Sequence, residues 1–145
     1  MKLEEIELEW VEDSNIDDTN IVQESTKIPN LHAKYFKLLN RAALKLKKLQ
    51  GDLSSLTLAK TEYYNGSMDE FELRERGWAP NSLKILRQDM PVYLAADQDI
   101  INLNLKVGYN LQIVKFLEDI LKQISNRNFV IKNIIDWSRF TSGGF

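Results

Sequence analysis

Six cations recur at three-, four- and seven-residue steps along one stretch: Lys27, Lys34, Lys37, Arg41, Lys45 and Lys48. On a helix turning roughly 100° per residue they fall within about a quarter of the circumference. Downstream stand Lys60, the adjacent pair Tyr63-Tyr64 and the turn pair Asn65-Gly66. A cationic row that ends in aromatic rings suits an unpaired polynucleotide, because cations neutralise phosphates and rings stack on bases. Both features also have a plainer use. Lysines solubilise the outer face of a packed helix, and a Tyr pair often closes an apolar seam. Lys60 falls on the periodicity of that seam, where a lysine stem packs while its head reaches water.

Other chemistry finds little material. The chain has one histidine, His32, and no cysteine. No glycine-rich phosphate loop and no pair of acids with metal-ligand character stands out. Asp97 and Asp99 read as the start of a helix, where a carboxylate caps free N–H groups and meets the positive end of the dipole. An enzyme must gather nucleophile, base and electrostatic stabiliser. The sequence therefore reads as non-enzymatic, with no cofactor and no metal.

The cations need a long helix to hold them in line. Over 27–64, Leu31, Tyr35, Leu38, Ala42, Leu46, Leu49, Leu53 and Leu56 step by threes and fours and make one apolar stripe. Gly51-Asp52 weakens the middle, but the spacing resumes in register, so one continuous or gently kinked helix is expected. Asn65-Gly66 should end it. A second helix is expected from Asp99 to about Ile124, a turn at Asn126-Arg127-Asn128, and a shorter last helix from Phe129 to Phe140. The fold class is thus mainly α: two long amphipathic helices plus a shorter C-terminal one.

Between the long helices, residues 67–94 read as a connector, with 82–88 helical and Val92-Tyr93-Leu94 extended after Pro91. Residues 1–18 form an acidic segment, read as a solvated tail, or alternatively as a short strand or frayed helix that competes for the basic row or docks a basic partner. Asp18 or Thr19 should cap a short helix reaching about Lys27. The division is 1–18 and one helical domain over 19–145, itself made of a basic part (19–66), the connector, and oligomerisation helices (95–145).

A length of 145 residues allows one domain with a real core. The net charge of -2 hides a block pattern: nine acids against Lys2 over 1–26, then eight Lys/Arg against Asp52 over 27–60. A basic stripe of that kind matters more to an anionic partner than the overall sum. No run of apolar residues reaches a membrane-spanning length, and the acidic start gives no expectation of a secretory signal. The second long helix is apolar over more than half its circumference, which calls for covering by further copies. Leu111, Val114, Leu117, Leu121, Phe129, Ile131, Ile134 and Ile135 are the expected oligomerisation residues.

Four fragments in order carry a resemblance. They are Ala59-Lys60-Thr61-Glu62-Tyr63-Tyr64-Asn65-Gly66, Asp69-Glu70-Phe71, Leu94-Ala95-Ala96-Asp97-Gln98-Asp99, and the tail from Arg127 to Asp136 with Phe140 and Gly143. The chain resembles the UvsY family of phage recombination mediators from the long helix to the C-terminus, with an insertion around 77–88. The resemblance implies a helical homo-oligomer, a ring of about six to seven copies, that binds single-stranded DNA. It also implies help in loading a RecA-like recombinase (UvsX-type) onto DNA coated by single-strand-binding protein, in the cytoplasm of the infected bacterial host cell, with no membrane involved. Of the two basic positions the family places before its Tyr-Tyr pair, the second matches Lys60 and the first falls on Leu58. That departure moves weight to Lys45, Lys47 and Lys48. The expected DNA-binding set is Lys60, Lys45, Lys47, Lys48, Arg41, Lys37, Tyr63 and Tyr64. The competing expectation is a self-associating helical scaffold or adaptor that binds protein and no nucleic acid.

Overall fold

The structure, a computed structural model, describes residues 1–143. Among them there are six α-helices and no strand: α1 (Leu3–Asp13), α2 (Ile21–Thr26), α3 (Ile28–Tyr64), α4 (Glu70–Arg76), α5 (Met90–Ala96) and α6 (Gln98–Thr141). The mainly α expectation holds. The chain divides into two compact units, Met1–Ala43 with Gln112–Phe145, and Leu44–Leu111. The helices α3 and α6 contribute to both.

The first unit packs α1 against the first half of α3 and the second half of α6. Ile6, Tyr35, Ile113, Leu117, Ile120 and Ile124 are its buried centre, with Leu31, Leu38 and Phe116 packed around it. Trp10 meets the Tyr35 ring edge-on at 5.4 Å. The acidic N-terminus is therefore a docked helix and not a solvated tail, because Leu3, Ile6 and Trp10 recur at helical spacing on one side of it. Glu5 closes its start by accepting from the Lys2 N–H at 2.8 Å. The short helix α2 begins later than expected, after Asn20. Asp17, one residue ahead of the expected cap, instead shapes a turn by accepting from the N–H and hydroxyl of Thr19.

The expected turn at 126–128 is absent: α6 runs unbroken to Thr141. Asn126 and Asn128 are exposed, while Arg127 points inward and is only 4% exposed. Its guanidinium finds the Glu24 carboxylate at 2.7 Å and the carbonyls of Asp13 and Asn15. A polar tripeptide that signals a turn is here one buried ion pair flanked by solvated amides.

That packing also redistributes the expected oligomerisation residues. Val114, Leu117 and Ile131 are buried within the first unit, so their apolar surface is already covered by the chain itself. Leu111, Leu121, Ile134 and Ile135 are half-buried, and Phe129 is exposed. Trp137 and Phe140, 66% and 76% exposed, stack on each other at 5.8 Å near the end of α6.

In the second unit, α3 continues through Gly51 without a break. It ends where Gly66 takes φ +81°, and the Ser67 N–H reaches back to the Glu62 carbonyl at 3.0 Å, a closure that needs a left-handed residue. Asp69 caps α4 by accepting from the Glu72 N–H. Residues 82–88 are irregular and not helical, whereas Val92-Tyr93-Leu94 lies inside α5 and is not extended. Pro91 sits in the first turn of α5, where its missing N–H costs nothing.

Candidate nucleic-acid interface

The cationic row survives folding in part. Lys34 lies 2.8 Å from Glu9 and 2.6 Å from Asp13, both on α1, and Lys27 lies 2.9 Å from Glu24. Carboxylates of the N-terminal helices thus occupy the first two cations. Lys37 and Arg41, in the first unit, are exposed, as are Lys45, Lys47 and Lys48 in the second. Among the described residues none of these five enters an ion pair. On α3, Lys37 and Arg41 lie about one helical turn apart in the first unit, and Lys45 and Lys48 do so in the second, with Lys47 on another side of the helix.

Lys60 has a different environment. Its side chain is 7% exposed, and its ammonium lies 3.1 Å from Asp97 and 2.8 Å from Asp99. It also sits 4.0 Å from the centre of the Trp78 ring, a cation–π distance. Burial disfavours the charge on Lys60, but the two aspartates overcome that and raise its pKa. The apolar seam that carries Lys60 brings it against the start of α6, so its ammonium is paired inside the fold. Asp97 is the pivot. One oxygen caps α6 by accepting from the Ile100 N–H at 3.0 Å, and the other accepts from the Tyr64 hydroxyl at 2.6 Å as well as from Lys60. Burial opposes the negative charge on Asp97, and these donors more than offset it and lower its pKa. The helix-start reading of Asp97 stands.

Tyr63 and Tyr64 are half-buried and spend their hydroxyls inside the fold. The Tyr63 hydroxyl donates to the Ala79 carbonyl at 2.6 Å, and its ring meets Tyr64 at 5.2 Å and Trp78 at 5.4 Å. The Tyr64 hydroxyl is held by Asp97, and burial beside that carboxylate raises its pKa. The pair thus packs the end of α3. Leu58 is 62% exposed and supplies no charge. His32 is exposed and stacks on Phe36 at 5.6 Å.

Sequence reasoning missed how much of the ladder is neutralised in the fold. The acids that do so lie 21 residues away for Lys34 and well over thirty for Lys60, on other helices. Only the excess of acid over 1–26 hinted at the first pairing. Among the described residues no group of three or more His, Cys, Asp or Glu side chains is placed to hold a metal ion, and no helix is long and apolar enough to cross a membrane. What the surface offers is exposed cations on α3 that enter no ion pair among the described residues. That arrangement suits a linear polyanion.

The family model described as recombination, repair and ssDNA binding protein UvsY matches residues 9–144. The recombination protein uvsY of Enterobacteria phage T4 is 24% identical over 150 residues, spanning 99% of this chain and 99% of that protein. Two crystal structures of the bacteriophage T4 recombination mediator protein UvsY are similar in fold. One has a TM-score of 0.81 and covers 97% of this chain and 99% of its own. The other has a TM-score of 0.84 and covers 98% of each, and both are 23% identical in sequence.

Proposed function

Because the chain belongs to the UvsY family of recombination, repair and single-stranded-DNA-binding proteins, we propose that it is a recombination mediator. In this reading several copies assemble, and their cationic rows on α3 join into a track that holds an unpaired strand. The held strand is then presented to a RecA-like recombinase in place of the single-strand-binding protein, in the cytoplasm of the infected host. The observation that carries the reading is the row Lys37, Arg41, Lys45 and Lys48, with Lys47 beside it, exposed and free of ion pairs among the described residues. Each copy neutralises only a few phosphates. Linking copies in a ring raises the effective local concentration of the remaining sites, so weak contacts add up to tight binding.

The exposed aromatic end of α6, with Phe129, Trp137 and Phe140, supports self-association. The scaffold or adaptor reading shares that feature but predicts no affinity for DNA. Titrating the purified protein against a labelled single-stranded oligonucleotide at several salt concentrations tests the proposal. The mediator reading expects log affinity to fall linearly with log salt. Absence of binding in dilute buffer would leave the adaptor reading in possession.

A further inference from the structure

The end of α3 contributes no free cation from the helix itself, since Lys60 is locked between two aspartates and Leu58 is apolar. A separate segment brings cations to that same end. We propose that the loop 79–89, between α4 and α5, forms a second nucleic-acid contact in which Lys84 and Arg87 take phosphates of the strand and the cavity beside Arg87 admits one unpaired base. The inference rests on the single-stranded-DNA reading above and adds a site to it. All the residues concerned lie in the second unit.

The loop is held in place and does not depend on the ligand to order it. The Asn81 amide donates to the carbonyls of Tyr63 at 3.2 Å and Tyr64 at 3.1 Å, and the Ile85 N–H donates to the Tyr64 carbonyl at 2.9 Å. These bonds satisfy the open carbonyl end of α3, which otherwise needs water or a cap. The Tyr63 hydroxyl fastens the loop's start at Ala79. The Lys84 stem lies across Gly66, so close that a Cβ there would meet its Cγ at 3.1 Å and its Cε at 3.3 Å. Lys84 is thus laid against the negative end of the helix dipole, a favourable place for a cation.

Both Lys84 and Arg87 are exposed, and neither side chain enters an ion pair or hydrogen bond among the described residues. Arg87 lines a cavity of about 280 Å³ with Thr61, Asn65, Ile85 and Met90. That is below the roughly 300–1,000 Å³ that buries a drug-sized ligand, and fits a smaller group such as a single base. Ile85 and Met90 contribute apolar lining, while Asn65 and Arg87 are lining residues that carry donors. An exposed guanidinium beside the cavity would hold a phosphate in its planar fork while the attached base enters.

The test compares three proteins: the unaltered chain, Lys84→Gln/Arg87→Gln, and Lys45→Gln/Lys48→Gln. Each binds a labelled single-stranded oligonucleotide over a salt series, with melting temperature and solution mass as controls. Leaving two phosphates without their cations should flatten the log–log salt slope by about 1.4 per protomer engaged, at about 0.7 per phosphate for single strands. The expected result is that flattening, with roughly tenfold weaker binding at low salt and unchanged melting and mass. An oligonucleotide carrying 5-iodouracil should also photo-crosslink to residues 85–90 in the unaltered chain. An unchanged slope in the loop variant beside a flattened one in the α3 variant overturns the loop site alone. If the unaltered chain ignores the oligonucleotide, the single-stranded-DNA reading fails and this site fails with it.

Discussion

Arg127 and Glu24 meet at 2.7 Å although 103 positions separate them, and both are almost fully buried. The pair ties α2 to α6, and the same guanidinium takes the last carbonyls of α1 and its following turn, at Asp13 and Asn15. Breaking a buried pair leaves an uncompensated charge, which typically costs about 3–5 kcal/mol. Arg127→Ala should therefore lower the melting temperature by roughly 6–12 °C, taking about 3 kcal/mol at 2–4 °C each for a chain of this size. Lys27→Ala removes the exposed partner of the same carboxylate and should cost under about 1 kcal/mol. Calorimetry on the two variants checks the order. Equal effects would show that Arg127 holds nothing Lys27 does not.

The same network sets a pH dependence. Glu24 has its pKa lowered by hydrogen bonds from Lys27 and Arg127, against the push of burial. Asp13 is lowered because donation from Lys34 and Tyr35 exceeds its burial, and Asp97 is lowered by Tyr64, the Ile100 N–H and Lys60. A carboxylate with a depressed folded pKa contributes stability that is present above its unfolded pKa, near 4. That contribution is lost as pH falls through the folded value. Melting temperature should accordingly hold above about pH 5 and drop steeply below pH 4. Glu24→Gln should shallow the drop while lowering the plateau, and an unchanged acid limb would separate the network from acid denaturation.

The helices were legible wherever one periodicity ran long. The stripe from Leu31 to Leu56 carried α3 straight through Gly51, and Asn65-Gly66 did end it. What could not be read was the pairing of distant charges. Arg127 sits between two asparagines, a local pattern that says turn, yet the helix continues there with Arg127 paired to the distant Glu24. Lys60 occupies a seam position, but nothing nearby announces that Asp97 and Asp99 wait there. Leu117 looked like surface for a second copy because the docking of α1 was not foreseeable from its charge.

Lys60 should behave as a structural residue. Removing its ammonium strands Asp97, which is 6% exposed and also caps α6. Lys60→Ala is expected to cost about 3 kcal/mol and to leave the salt slope of DNA binding within error. Asp97→Asn keeps the cap but removes the charge, and should destabilise by a similar amount. Thermal melts paired with a salt titration decide the matter. A stable Lys60→Ala variant with a flattened slope would return Lys60 to the DNA contact.

Self-association should depend on the exposed end of α6 and not on its buried stripe. Phe129, Trp137 and Phe140 present aromatic surface to solvent, while Leu117 and Ile131 are already covered. Trp137→Glu/Phe140→Glu should lower the solution mass with helix content unchanged. Leu117→Ala should instead cost about 2–5 kcal/mol of stability through the cavity it leaves. Light scattering beside circular dichroism distinguishes these outcomes, and a double-Glu variant of unchanged mass would place the contact elsewhere.

The cationic row makes the sharpest demand on the proposed activity. Lys37, Arg41, Lys45 and Lys48 are exposed and enter no ion pair among the described residues, whereas Lys27 and Lys34 already face carboxylates. Replacing all four free cations by Gln should reduce the salt slope by about 0.7 for each phosphate that is no longer neutralised. Replacing Lys27 and Lys34 should change it far less, since their charge is spent inside the protein and they release few counterions from DNA. The four sites are exposed helix positions that tolerate Gln, so melting temperature and solution mass should stay unchanged. Fluorescence anisotropy of a labelled strand, read across salt for both variants, separates the two groups. Equal slopes would mean that the strand does not follow this face of α3, and the interface would have to be sought on other cations such as those of α6.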